Sequence, residues 1–139
     1  MKIAFVQDKI QFAVQMGTAM IAGNLRHGGH EVEVFGVENK LENTLQELKR
    51  YKPDIVAFSV ITGSHLEYIK IARAIKQRLN IPILWGGPHV TFAPKIIEED
   101  YADVVCVGEG EEAALEFANS FDTLGGKIPT DIKNLWVKR

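Results

Sequence analysis

Apolar runs of strand length alternate along the chain with longer amphipathic segments, the arrangement that parallel strands joined by crossover helices write into a sequence. Five strands are predicted: Ile3 to Gln7, Glu31 to Phe35, Ile55 to Val60, Ile83 to Trp85 and Val104 to Val107. Four are apolar throughout and need cover on both faces. The second, Glu31-Val32-Glu33-Val34-Phe35, alternates with period two, so one face is wet and the strand belongs at a sheet edge.

The segments between carry helix punctuation. Met16, Met20 and Leu25 fall on one face of a first helix that stops at Gly28-Gly29, a left-handed C-cap. Leu41, Leu45 and Leu48 form a second stripe, which must end before Pro53. Ser64 and Glu67 have capping-box spacing ahead of a third stripe of Leu66, Ile69, Ala72, Ile75 and Leu79. Pro94 suits the first turn of a short helix holding Ile96 and Ile97, and Ala114, Phe117, Ala118 and Phe121 define the last. Together these elements predict an α/β fold, Rossmann-like and flavodoxin-like: an open five-stranded parallel sheet of order 2-1-3-4-5 with helices on both faces.

The tail begins at Gly125-Gly126, contains Pro129 and ends in Ile132 to Val137, which reads as one further strand. Its abrupt end after an exposed tryptophan leads us to expect a chain cut from a longer protein, with residues 1–124 as the domain and 125–139 as an extension toward an absent catalytic unit. A terminus packing back on the sheet is the alternative.

Composition narrows the function classes. The 139 residues, 46% hydrophobic and 24% charged, fit one soluble domain with one core. The formal charge of -2 and scattered Lys and Arg leave no basic stripe for a nucleic-acid backbone. A single cysteine, Cys106, rules out an internal disulfide and a multi-cysteine metal site, and reads as a buried strand residue. No apolar stretch approaches a membrane span, and Met1-Lys2 runs directly into a strand pattern without a signal-peptide core. A cytoplasmic protein without membrane or nucleic-acid partners is expected.

In an open parallel sheet, ligands bind at the carboxyl edge, near the point where strand order reverses. Four loops gather there: Asp8 to Ala13, Ile61 to Ser64, Gly86 to Phe92 and Gly108 to Glu111. Each alone is a turn; their coincidence on one edge suggests a cleft. Ser59, Thr62 and Gly63 place hydroxyls and a bare backbone at one strand end, and Gly86-Gly87 lets a ligand approach the next. His27 and His30 fall on the opposite edge and are expected at the surface; His65 and His89 share the ligand edge, with contact expected only from His89. Glu109, Glu111 and Glu112 suit a helix N-terminus, and no acid-base pair is established. Gln7-Asp8-Lys9-Ile10-Gln11 lacks the glycine turn of nicotinamide binding, Ser59-Val60 stands where a phosphoacceptor receiver would have an aspartate, and Gly108-Glu109-Gly110 lacks the length and lysine of a P-loop.

Four stretches in this order, Gly29-His30-Glu31-Val32-Glu33-Val34, Ser59-Val60-Ile61-Thr62, Gly86-Gly87-Pro88-His89-Val90-Thr91-Phe92 and Gly108-Glu109-Gly110-Glu111, carry a resemblance that spans essentially the whole chain. It is similar to the cobalamin-binding domain at the front of cobalamin-dependent radical S-adenosylmethionine enzymes. The last two stretches are the specific ones. Residues 132–139 resemble the link before the catalytic barrel of that family, whose Cys-x-x-x-Cys-x-x-Cys iron-sulfur cluster motif is absent.

The resemblance implies a corrin across the carboxyl edge and a dimethylbenzimidazole tail threaded into the sheet-helix interior. It implies a cobalamin site made of Asp8, Ile10, Ser59, Val60, Ile61, Thr62, Gly63, Gly86, Gly87, Pro88, His89, Gly108, Glu109 and Gly110, with Ser59 bonding the buried base and Gly63, Gly86 and Gly87 making room. Ile61 departs mildly from a Ser-x-Leu pattern. Where many relatives carry Asp-x-His-x-x-Gly, this chain has Asp8-Lys9-Ile10-Gln11-Phe12-Ala13, so Ile10 stands at the position of the cobalt-ligating histidine. The implied state is base-off without a histidine ligand. The isolated chain should catalyse nothing, since the iron-sulfur cluster and S-adenosylmethionine would belong to the barrel of the parent enzyme. Two readings remain beside it: the nucleotide-sugar half of a glycosyltransferase, whose opening also reads Gly-His-x-Val-x-Val, and a Rossmann-like interaction domain without ligand.

Overall fold

Strands that are apolar on both faces must be covered by helices twice. The computed structural model, which describes residues 1–8, 16–37 and 40–138, has that arrangement. The strands are β1 (Lys2–Gln7), β2 (Glu31–Gly36), β3 (Ile55–Ser59), β4 (Ile83–Gly86), β5 (Val104–Cys106) and β6 (Leu135–Val137). The helices are α1 (Met16–His27), α2 (Leu41–Tyr51), α3 (His65–Arg78), α4 (Pro88–Phe92) and α5 (Glu111–Thr123). The sheet order is β2-β1-β3-β4-β5-β6. The first five strands are parallel in the expected order, with the half-polar β2 at the edge. The expected five-stranded sheet gains a sixth strand: β6 pairs antiparallel with β5, placing Leu135 beside Cys106 and burying Ile132 and Leu135 in the core.

The two faces form separate cores. Leu45 and Leu48 of α2 and Tyr68, Ile71, Ala72 and Ile75 of α3 pack on one side against Ala4, Val6, Val56, Phe58 and Trp85. Ala22 and Leu25 of α1 and Ala113, Phe117 and Ala118 of α5 pack on the other against Ile3, Phe5, Ile55, Ala57 and Cys106.

Several helix faces differ from the periodicity. On α1 the buried residues are Thr18, Ala22 and Leu25, while Met16 is 79% exposed and Met20 stands in solvent. On α3, Tyr68 and Ile71 take the inward face and Leu66 is 68% exposed, because the helix rotates to pack an aromatic ring on Phe58. Ser64 caps α3 in position only: its hydroxyl donates to the Ile61 carbonyl at 3.1 Å, so the capping box does not form. The Gly86 to Phe92 stretch, read as a loop, winds the short α4 with Pro88 in its first turn. Pro94–Glu98, read as a short helix, is a 3-10 turn. The α1 C-cap forms as expected, with Gly29 at φ 91° and His30 N–H donating to the Leu25 carbonyl.

That cap also corrects the placement of His30, which is 8% exposed and lies beneath the end of α5. Its Nε2 is 2.8 Å from Asn119 Oδ1 and its Nδ1 is 3.1 Å from the Met1 amino group. His27 is exposed, as expected.

Trp85 ties the carboxyl half of the sheet together. It is fully buried, its ring centroid lies 4.9 Å from that of Phe58, and its Nε1–H donates to the Tyr101 carbonyl at 3.0 Å. Trp85→Ala is expected to lower unfolding free energy by about 3–5 kcal/mol in urea titrations; a loss under about 1 kcal/mol would show that this aromatic cluster is not what holds β4.

Candidate functional site

Alternation along β3, β4 and β5 sorts side chains by size. Phe58 and Trp85 point toward α2 and α3, whereas Ala57, Ser59, Gly86 and Cys106 point toward α1 and α5. Small residues on that face leave a cavity of about 220 Å3 between sheet and helices. Phe5, Ala57, Ser59, Leu84, Gly86 and Cys106 form its sheet wall, Gly17, Ile21 and Leu25 its α1 wall, and Ala114 and Phe117 its α5 wall. Pro88, Gly108, Glu109 and Gly110 rim it at the carboxyl edge. Its volume is above the roughly 150 Å3 of an apolar cavity that admits benzene, and it opens at the carboxyl edge. A fold that maintains such a space is shaped for an apolar group.

Seven of the fourteen expected site residues line this cavity: Ser59, Gly86, Gly87, Pro88, Gly108, Glu109 and Gly110. Val60 is fully buried in the opposite core and offers only backbone, its N–H donating to the Gly86 carbonyl and its carbonyl accepting from His89 N–H. Ile61, Thr62 and Gly63 form an exposed loop above the edge. Asp8 sits at the end of β1, its N–H donating to Tyr68 Oη at 3.2 Å. Ile10 lies outside the described residues. Of the α1 wall, periodicity marked Leu25 but not Gly17 or Ile21, and Cys106 was read only as a buried strand residue, although the small-large alternation of Ala57-Phe58-Ser59-Val60 carries the signal.

The glycines play different parts. A Cβ on Gly87, at φ 96°, would stand 2.5 Å from Val60 N and 2.7 Å from its carbonyl oxygen. Gly87 is therefore demanded by the β3 backbone, and the room expected there for a ligand is already filled. A Cβ on Gly86 would make ordinary contact, 3.5 Å from the Phe58 carbonyl and 3.9 Å from Cys106 Cβ, so Gly86 is the position that keeps the cavity open. Thr91 of α4 holds the rim: its hydroxyl donates to the Gly87 carbonyl and accepts from Gly108 N–H at 3.0 Å.

Cys106 is a wall residue. Burial first, and Glu111 second, push its thiol up to about 11, so it stays protonated and behaves as a small apolar group. On the rim above β3 and β4, the rings of His65 and His89 stack at 4.2 Å with 10° between planes, a pairing that spacing did not reveal. Gly63 N–H donates to His65 Nδ1, and the Thr62 hydroxyl is 3.2 Å from His89 Nδ1. Among the described residues no group of three or more His, Cys, Asp or Glu is placed to hold a metal ion, and no helix is long and apolar enough to cross a membrane.

Residues 11–118 match the profile of the family described as B12 binding domain. The chain belongs to that family. An uncharacterized methyltransferase of Pyrococcus horikoshii is 30% identical over 115 residues, covering 78% of this chain and 24% of that protein. The hopanoid C-3 methylase of Methylococcus capsulatus is 30% identical over 105 residues, 71% of this chain and 20% of the methylase. Among solved structures, the cobalamin-dependent S-adenosylmethionine radical enzyme OxsB with aqua-cobalamin bound superposes with a TM-score of 0.77 at 17% identity, over 96% of this B12-binding domain and 20% of that chain. The radical S-adenosylmethionine methyltransferase TsrM from Kitasatospora setae gives 0.76 at 19% identity, over 96% and 27%. These superpositions establish the shared fold, and the B12-binding domain spans about a quarter or less of the curated relatives' length.

The stacked histidines generate a pH test. Burial first, and the charge of His65 second, hold His89 below its ordinary 6.5. The folded state then binds fewer protons at this site than the unfolded one, so its contribution to stability is present above 6.5 and is lost as pH falls through the folded midpoint. NMR titration should place the His89 midpoint below 6.5, and His65→Ala should move it upward; an unchanged midpoint in the variant would contradict the pairing.

Proposed function

We propose that this B12-binding domain takes cobalamin base-off, with the dimethylbenzimidazole tail in the α1/α5 cavity, and serves a radical S-adenosylmethionine barrel in a longer parent enzyme. The observation that carries the reading is the apolar cavity beneath Ser59 and Gly86, on the face that the small residues of β3, β4 and β5 leave open. Ala57, Gly86 and Cys106 would form the wall against the base, and the hydroxyl of Ser59, which lines the same cavity, would bond a ring nitrogen. Pro88, Gly108, Glu109 and Gly110, with Thr62, Gly63 and His89 above them, would meet the corrin. Asp8 would lie beside the corrin at the end of β1, and Ile10 has no nitrogen in its side chain to give to cobalt.

When bound, cobalamin would supply methyl transfer, or assist a rearrangement or cyclisation, in the parent enzyme; this chain's residues bind and orient it and shield its tail from water. The whole relatives include methyltransferases, which supports the first of these. Residues 1–124 would form the ligand-binding unit, while 125–139, whose strand closes the β5 edge, would lead toward the barrel. A sugar nucleotide fits less well: among the described residues the cavity lining holds no Lys or Arg to meet a diphosphate, and its charged residues are Glu109 and Glu111.

Incubation with hydroxocobalamin followed by desalting should leave close to one equivalent bound, with a base-off visible spectrum and, after reduction, electron paramagnetic resonance lines unsplit by an axial nitrogen. Gly86→Leu should abolish retention while circular dichroism stays unchanged, because its side chain enters the cavity without displacing backbone. A colourless parent, or a variant that retains cobalamin as the parent does, would overturn the reading.

A further inference from the structure

Buried polar groups without partners are rare in folded proteins, and each marks a place where something else completes the structure. Among the described residues, three side chains have buried polar atoms with no hydrogen-bond partner: Gln7, Thr18 and Tyr51. Tyr51 closes α2 near Lys2, at the amino edge of the sheet. Gln7 and Thr18 belong to the ligand edge. Gln7 is the last residue of β1 and 2% exposed, yet neither its amide oxygen nor its amide nitrogen is bonded. Thr18, in the first turn of α1, is 1% exposed with its hydroxyl unbonded.

Their position in the fold relates them to the cavity. Strand residues two apart share a face, so Gln7 continues the row of Ile3 and Phe5, both of which line the cavity. Thr18 follows Gly17 and precedes Ile21 on α1, two further lining residues. The cavity interior is apolar and suits an aromatic base, while Gln7 ends β1 two residues beyond Phe5, Thr18 adjoins Gly17 in the first turn of α1, and the two present one carbonyl acceptor, one amide NH2 and one hydroxyl. A primary carboxamide, with one carbonyl and two N–H donors, satisfies that combination.

We propose that Gln7 and Thr18 form a carboxamide-binding pair for one of the acetamide or propionamide side chains that rim a corrin, and that their polar groups are left unpaired in the free protein for this purpose. The proposal rests on the cobalamin reading above and adds two residues to it. An unpaired buried polar group destabilises the free protein, and an apolar isostere relieves that cost. Binding and stability should therefore respond in opposite directions.

Gln7→Met and Thr18→Val preserve shape and remove the polar atoms. Each variant's free form should melt at the same temperature as the parent or a few degrees higher, while its hydroxocobalamin dissociation constant, from spectral titration, weakens roughly tenfold. Unchanged binding in both variants would overturn the proposal and assign the pair to a buried water. A lower melting temperature with unchanged binding would overturn it in favour of a structural role. If the parent binds no cobalamin, the cobalamin reading itself fails, an outcome distinct from a parent that binds and variants that bind equally. Thr18→Val tests the pair independently should Gln7→Met not fold.

Discussion

A parallel sheet covered on both faces has to fill two cores, and this chain fills them unequally. At the carboxyl ends of β3, β4 and β5, the bulk goes to one side: Phe58 and Trp85 interlock with Tyr68 and Tyr101 beneath α3. What remains for the other side at the strand ends is Ala57, Ser59, Gly86 and Cys106, small side chains that join the core shared with α1 and α5 yet leave a cavity between sheet and helices. The dense aromatic core carries the stability that lets the opposite core stay open, so the cavity and the Phe58-Trp85 cluster are two consequences of one alternation. The rim depends on it as well, since Gly87 can turn away from β4 only by lying directly against the Val60 backbone.

That division of labour explains how the edge can carry several tight turns without unravelling. The hydrogen bonds from Thr91 to the Gly87 carbonyl and from Gly108 N–H to Thr91 link the loops after β4 and β5, and the His65-His89 stack links those after β3 and β4. These three loops are each held by a neighbour, and the set is anchored on the buried side of the sheet. A ligand arriving at this edge meets the loops after β3, β4 and β5 already organised, which limits the ordering cost there on binding.

Much of this was legible in the sequence, for physical reasons that differ by element. Continuous apolar runs and the single alternating run at Glu31 to Phe35 were enough for the strands and their order, because parallel connectivity leaves few topologies. Glycine at 86, 87, 108 and 110 marked the edge at which the cavity opens. What did not follow from periodicity were features decided by tertiary packing. Met16 and Leu66 match a buried stripe by spacing yet face solvent, since Thr18 and Tyr68 take the inward positions. His30, expected at the surface, is buried, and so are the polar Gln7 and Thr18. Gly87 read as space for a ligand, but its role emerges only when the Val60 backbone is seen 2.5 Å from its missing Cβ. The sixth strand lay in a segment whose pairing no local pattern specifies.

The central claim is that the α1/α5 cavity receives the nucleotide tail of the corrinoid. Cobinamide keeps the corrin and its carboxamides but lacks the benzimidazole nucleotide. Equilibrium titration of the protein with cobalamin and with cobinamide under the same conditions isolates the tail. The account predicts that cobalamin binds at least tenfold more tightly, because the base buries an aromatic surface in the cavity beneath Ser59 and Gly86. Equal affinity for the two corrinoids would contradict it.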